Sequence, residues 1–493
     1  MSENPNAQSR REFLKTSVAG LTALTIVPST VVSGLGHPAP VDKLNIAAIG
    51  IGGVGFRNLS NLKSENIVAL CDVDWDYGQK TFRRWSNAKK YSDFRVMLDN
   101  QKDIDAVVIA TPDHTHSVAA MAAMQLQKHV YVQAPMAHSI FEMRRMHETA
   151  RVFNVVSQVG NQSASGGEVR EICELIWVGA IGEIREVHAW TSQPQWKQGI
   201  YYPEKKMKEP KDFDWNLFLG PAPEIPYNSV YTPFGWRAWW NFGNGALGSM
   251  GPHLLEPVFK ALKLNAPVEV EGSSTTINME SAPVAEKITF TFNRRDNMPR
   301  LAMPKVKLTW YDGGLQPERP DSLPGNIPLG NSDGGVLFIG SDGFMVCEPQ
   351  GQNYKVIKGG EVVEPKAEKV MHRIANPFEG GHEMDWVRSC KESVENRLQP
   401  AADFESQTAM TETILVGALA IRLQGLRKIL QWDSSQMRFV NISPYEEFVI
   451  TKPGKFFIEN GIPKFDVETT SFNAAHFVDQ TVRPIYREGW KQI

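Results

Sequence analysis

Cysteine is scarce in this chain. Its 493 residues hold four, Cys71, Cys173, Cys347 and Cys390, with no Cys-x-x-Cys pair among them. That spacing offers no thiolate metal site and no disulfide framework, and leaves small buried thiols as the reading. Runs of like charge are also missing. Lys and Arg total 52 against 55 Asp and Glu, a formal net charge of −3. Nothing in that balance points to a nucleic acid or to a polybasic membrane patch. No long apolar run occurs either: the N-terminal stretch from Ser17 to Val32 is broken by Thr, Ser, Gly and Pro and is short for a stable membrane span. Internal repeats and low-complexity tracts are absent. What remains is 42% hydrophobic residues, ample for two or three packed domains at this length.

The first residues read as an address. Ser9-Arg10-Arg11-Glu12-Phe13-Leu14-Lys15 precedes that apolar stretch and Ser33-Gly34, the order of a twin-arginine export signal over residues 1–33. A chance basic patch on a tail is the alternative, and either cleavage near Ser33 or retention as an anchor fits. Export of this kind carries folded proteins, so the expected destination is the periplasm. An exported dinucleotide enzyme would have to hold its cofactor tightly and regenerate it in place.

Lys43 to Gly50 is a nearly continuous apolar run ending at glycine, the pattern of a buried parallel strand. It enters Gly50-Ile51-Gly52-Gly53-Val54-Gly55, a GxGxxG fingerprint that opens a helix. A second apolar strand, Asn66 to Cys71, ends on Asp72. Glycines permit a tight turn and close approach to a pyrophosphate, and an acid at the next strand end can accept hydrogen bonds from ribose hydroxyls. A fingerprint set between a strand and a helix, with an acid at the expected distance, is far more specific than GxGxxG alone. Asp72 favours NAD over NADP, because a 2′-phosphate would meet like charge.

Ile104–Ala110 reads as a further buried strand and leads into Thr111-Pro112-Asp113-His114-Thr115-His116. The two histidines lack a third ligand at a telling spacing, so no metal is expected there. Helices are predicted over Val118–Gln127 and Ile140–Phe153, on either side of the strand His129–Gln133 and the turn Ala134-Pro135. Past Gly160 the pattern changes to longer, alternating strands: Ile184–Thr191, Val268–Asn278, Lys287–Asn293, Val306–Tyr311, Val336–Gly340 and Gly343–Cys347. Glu379–Glu395 and Phe404–Gln424 look helical, and the tail beyond Gln431 shows no clear period. The predicted fold is an α/β Rossmann domain (42–160), then an α+β domain with a mostly antiparallel open sheet (161–431), then a tail (432–493).

These motifs together resemble the Gfo/Idh/MocA oxidoreductases, in particular their exported, tryptophan-rich branch. The stretches that carry the likeness are Gly50–Gly55, Cys71–Asp74, Ala110–His116, Gln133–Ser139, Glu186–Trp190, Trp215–Pro223 and Trp236–His253. The resemblance implies that Gly50, Gly52, Gly55, Asp72, Thr111, Pro112, His114, Ala134 and Pro135 hold NAD. It places the substrate side on Asn161, Trp236, Arg237 and His253. It also brings departures: Ala134 stands where the family usually carries a lysine that polarises the substrate hydroxyl. Asn241 and Ser249 stand where acids are expected, so all three changes remove charge.

His253 and His188 are the candidate proton-transfer residues, each with a structural alternative in a locally bonded helix or sheet histidine. Arg237 fits a substrate contact or a structural ion pair equally. Trp190, Trp196, Trp236 and Trp239 fit either sugar stacking or core packing. The implied ligand is a sugar or glycoside. In relatives with captive NAD a hydroxyl is oxidised, a neighbouring C–H is acidified, and the hydride is returned, which permits glycoside cleavage without paired carboxylates. Two other readings stand beside this one: a redox-silent sugar- or partner-binding paralogue, and a lyase or hydratase on a 3-keto sugar. Relatives often pair through the open sheet, so a homo-oligomer is expected, with no membrane span in the mature chain.

Overall fold

The structure is a computed structural model and describes residues 43–295 and 305–491. The twin-arginine segment lies outside the described residues. Six strands form the first sheet: β1 (Asn45–Ile49), β2 (Asn66–Cys71), β3 (Lys89–Tyr91), β4 (Ala106–Ile109), β5 (His129–Gln133) and β6 (Ser157–Gly160). Their order is β3-β2-β1-β4-β5-β6 and every pairing is parallel, the doubly wound arrangement whose switch point falls between β1 and β4. Both faces are covered, which explains the continuous apolar runs. Ala47, Ile49, Val107 and Ile109 enter one core, while Ile46, Ala48, Ala106 and Val108 enter the other with Trp386 from the C-terminal half. Strand β3 is too short and polar to be read from sequence.

The second sheet has ten strands. They are β7 (Ile184–Thr191), β8 (Glu269–Ser274), β9 (Glu286–Phe292), β10 (Val306–Tyr311), β11 (Gly334–Gly340), β12 (Phe344–Cys347), β13 (Lys355–Lys358), β14 (Glu361–Val363), β15 (Leu430–Asp433) and β16 (Arg438–Phe439). Antiparallel pairing dominates, and β7 with β10 is the parallel exception. One face of this sheet is closed by the helices Gly245–Leu262 and Phe404–Arg422, whose Leu254, Val258, Ile414 and Ile421 share a core with Ile288, Phe290 and Leu308.

Two expectations need correction. The helix predicted from Glu379 begins at His382 and ends at Lys391, because the chain enters through a tight turn with Asn376 (φ +48°) and Gly380 (φ +102°) left-handed. The tail is not featureless. It adds β15 and β16 to the sheet edge, then a hairpin of β17 (Glu447–Glu459) and β18 (Ile462–Asn473), and a helix Ala474–Val482. All four cysteines are free and buried. No helix among the described residues is long and apolar enough to cross a membrane.

Candidate active site

The glycine loop is built by close contacts at the end of β1. Gly50 has φ +77°, and a Cβ there would stand 2.7 Å from the Ala110 carbonyl carbon. A Cβ on Gly55 would collide with the Gly50 carbonyl oxygen, and one on Gly52 with the Tyr77 ring. Only glycines let the loop and the following helix fold this tightly. That helix, Gly53–Asn61, has no side-chain cap and no acid in its first turn, so its positive end is open to an anion. Asp72 is buried and braces the loop, accepting hydrogen bonds from the Ile51 N–H at 2.8 Å and the Asp74 N–H at 2.9 Å. Burial pushes its carboxyl up to about 6, against the pull of those amides. Each oxygen keeps a lone pair for a ribose hydroxyl. The loop, the uncapped helix and Asp72 together fit a dinucleotide.

From this loop a cleft runs along the ends of β4 and β5. Gly50, Gly52, Asp72, Thr111, Pro112 and Ala134 all line it, and so do Trp236 and Arg237 from the second domain. Two groups that sequence reasoning passed over also belong to the wall. Asp113, 2% exposed, has its carboxyl pushed up to about 7 by burial, with the Arg237 charge and Asn244 opposing. It lies inside Thr111–His116, where no local signal sets it apart. Trp490 comes from the tail and reaches the same wall, where no local signal marks it. Among the described residues Arg237 makes no ion pair within 4 Å. Its guanidinium lies 4.0 Å from the Phe234 ring centre and 4.3 Å from that of Trp236, and donates to the Phe234 carbonyl at 3.2 Å.

The remaining site residues sit elsewhere. Gly55 packs behind the loop, and the Pro135 carbonyl lies 3.0 Å from His116 Nδ1. His253 lies on the Gly245–Leu262 helix, off the cleft wall, with Arg57, Glu256 and His382 as its electrostatic neighbours. Burial lowers it to about 4, which leaves the ring neutral, and among the described residues its Nδ1 has no hydrogen-bond partner. Asn161 is fully buried beside the same helix, donating to Glu256 at 2.8 Å and to Gln407 at 3.1 Å. Gln133, on the cleft wall, donates to Asn58, which donates to Glu383. His188 is on β7, held between Glu186 at 3.1 Å and the Tyr311 hydroxyl at 3.1 Å. His114 turns away from the cleft: its Nε2 donates to the Phe218 carbonyl at 2.9 Å, and burial lowers it to about 3. Of the four weighed tryptophans, Trp190 and Trp239 are 1% exposed core residues, Trp196 is half-buried, and Trp236 reaches the cleft. Among the described residues no group of three His, Cys, Asp or Glu side chains could hold a metal.

Comparison with known proteins agrees with this geometry. Residues 44–161 match the family model described as an oxidoreductase family with an NAD-binding Rossmann fold, and residues 166–298 match the C-terminal alpha/beta domain of the same family. A glycosyl hydrolase family 109 protein of Shewanella amazonensis is 28% identical over 203 residues, 36% of this chain and 44% of that protein. An inositol 2-dehydrogenase of Salmonella typhimurium is 27% identical over 170 residues, 32% of this chain and 50% of that one. The chain thus spans about half the length of the curated relatives it matches. In fold it is similar to an aldose-aldose oxidoreductase of Caulobacter crescentus complexed with glycerol (TM-score 0.52, 15% identity, 79% of this chain and 100% of that one). It is also similar to the WlbA dehydrogenase of Bordetella pertussis in complex with NADH and UDP-GlcNAcA (TM-score 0.54, 14% identity, 79% and 99%). With a dinucleotide cleft of the expected build and both halves of the family model matched in order, the chain belongs to the Gfo/Idh/MocA oxidoreductase family.

Proposed function

We propose that the protein is an exported, periplasmic enzyme that acts on a hydroxyl of a sugar or glycoside with tightly held NAD. One observation carries the reading: a single cleft joins the glycine loop and Asp72 to Asp113 and Arg237. Gly50, Gly52 and the uncapped helix end would hold the pyrophosphate, and Asp72 the ribose hydroxyls, its charge disfavouring the 2′-phosphate of NADP. When bound, the nicotinamide supplies reversible hydride transfer. Asp113, with its proton poised near neutral pH, can take up the hydroxyl proton. Arg237 stabilises the negative charge that develops beside it. Trp236 and Phe234 offer apolar faces to a sugar ring.

A second copy of the chain is the partner we assign to the exposed Phe456, Phe457, Ile458, Ile462 and Phe465 of the β17–β18 hairpin, since a two-stranded ribbon is marginal alone. The deciding experiment is purification without added nucleotide, followed by acid release and identification of any ligand by chromatography and mass. Stoichiometric NAD or NADH supports the proposal, whereas an empty protein that also fails to bind added NAD sinks it.

A redox-silent, sugar- or partner-binding role is favoured by one feature: among the described residues Arg237 is the only Lys or Arg on the cleft wall, which Ala134 also lines. A lyase or hydratase acting on a 3-keto sugar would also tolerate that wall. Ala134→Lys separates the readings. An enzyme adapted to the small residue loses turnover on its glycoside, and a gain of hydride transfer instead favours the silent paralogue.

A further inference from the structure

A second cavity, of about 410 Å³, lies on the other side of the Asp113–Thr115 turn from the dinucleotide cleft. His114 lines this cavity, while its neighbours Asp113 and Thr115 line the cleft. The other walls come from five parts of the chain: the start of the Ile140–Val152 helix, residues 221–223, residues 240–244, the end of the Phe404–Arg422 helix, and the tail helix Ala474–Val482 with the residues that follow it. This volume lies in the range of small-molecule pockets.

Among the described residues Arg422 is the one Lys or Arg of its lining. The guanidinium carbon lies 5.2 Å from the Trp240 ring centre and 4.5 Å from that of Phe477. Among the described residues no carboxylate forms an ion pair with it, and its buried Nε–H has no protein acceptor. The buried Trp240 Nε1–H, on the same wall, has none either. The one carboxylate of the lining, Glu142, is engaged elsewhere: Ser139 N–H donates to it at 2.9 Å and the Tyr486 hydroxyl at 2.7 Å. A mostly buried cation and two orphaned donors are costly unless an acceptor meets them. Burial lowers the guanidinium only to about 10, so it stays charged at neutral pH.

We propose that this cavity binds a small carboxylate-bearing molecule, held by the Arg422 guanidinium and the Trp240 indole N–H. A single cation with one neutral donor, flanked by aromatic walls and a resident Glu142, suits a monoanion better than a doubly charged phosphate. Two sources share that chemistry, a sugar acid and an open-chain organic acid. The site is independent of the cofactor reading, because none of its donors lies on the dinucleotide cleft.

The test is calorimetric titration of the full chain with D-glucuronate, L-lactate and D-glucose, with NAD affinity measured on the same samples. Saturable binding of glucuronate or lactate but not glucose is expected, weakened on the order of tenfold or more in Arg422→Gln. A smaller loss is expected in Trp240→Phe, which keeps a ring and removes the N–H. Arg422→Lys retains charge without the fork and should fall between wild type and Arg422→Gln. Stronger glucuronate binding assigns a sugar acid, and stronger lactate binding an open-chain acid. No saturable carboxylate binding, or equal affinity in wild type and Arg422→Gln, overturns the proposal. NAD affinity equal to wild type shows that each variant is folded; NAD binding that fails in every protein counts against the oxidoreductase reading alone.

Discussion

At the scale of residues, the cleft carries a buried acid, Asp113, on its wall. Asp113 has an ordinary carboxyl value of 3.8 and is raised to about 7, first by burial. A raised carboxyl favours the protonated fold, so the stability it confers is complete below about 3.8 and is lost as pH climbs through about 7. Asp113→Asn stays neutral throughout and escapes that loss. Its stability relative to wild type should therefore rise between pH 4 and 7 and level off above, as read by urea denaturation across that range. A difference that stays flat with pH would show that Asp113 is not perturbed. If Asp113 takes the hydroxyl proton, the same variant should also lose about 10²–10⁴ in turnover. The histidines named from sequence carry no such signature at neutral pH. His253 and His114 are neutral because burial strips their charge, and His188 is tied to Glu186 and Tyr311.

At the scale of elements, tight backbone crossings hold the cofactor loop, and these can be broken one atom at a time. Gly55→Ala sets a methyl against the Gly50 carbonyl oxygen, and the other neighbour, the Ala110 Cβ, is rigid, so no flexible side chain can yield. We expect a stability loss of about 1–3 kcal/mol and a fall in NAD affinity of about tenfold, since the shifted loop is the one that receives the pyrophosphate. Unchanged thermal melting and NAD titration would sink this account.

The same elements show what was legible in the sequence. Strands β1, β2 and β4 could be read because burial on both faces leaves unbroken apolar runs, and β7 and β10 because their burial changes within the strand. The β17–β18 hairpin was missed because the described residues of β18 are mostly exposed on both faces, which erases any alternation. Its one local mark was Asn460-Gly461, a two-residue turn with φ +52° and +75° between the paired Glu459 and Ile462. Asp113 and Arg422 had no signal of this kind, because their importance comes from what folding places around them.

At the scale of the whole molecule, the last residues tie separate parts of the fold together. Tyr486 donates to Glu142 on the Ile140–Val152 helix and meets the Ser117 hydroxyl at 3.3 Å. Arg487 donates to the Gly220 carbonyl at 2.6 Å and its N–H to the Pro221 carbonyl at 3.2 Å. Trp490 packs 6.1 Å from Phe94, centre to centre, with the Arg95 guanidinium 4.5 Å from its ring. Tyr486 and Pro221, the latter tied to Arg487, line the second cavity, and Trp490 lines the dinucleotide cleft with Phe94, Asp72 and Asp93. One short segment thus lines both sites, although it belongs to neither sheet. Truncation after Val482 should therefore lower the melting temperature by several degrees and weaken NAD binding together with any carboxylate binding. Trp490→Ala alone should weaken NAD and spare the second cavity. If the truncated chain melts like wild type and binds NAD equally well, the tail is a passenger on the fold. If Trp490→Ala disturbs carboxylate binding as strongly as NAD binding, the two sites are coupled through the tail rather than independently lined by it.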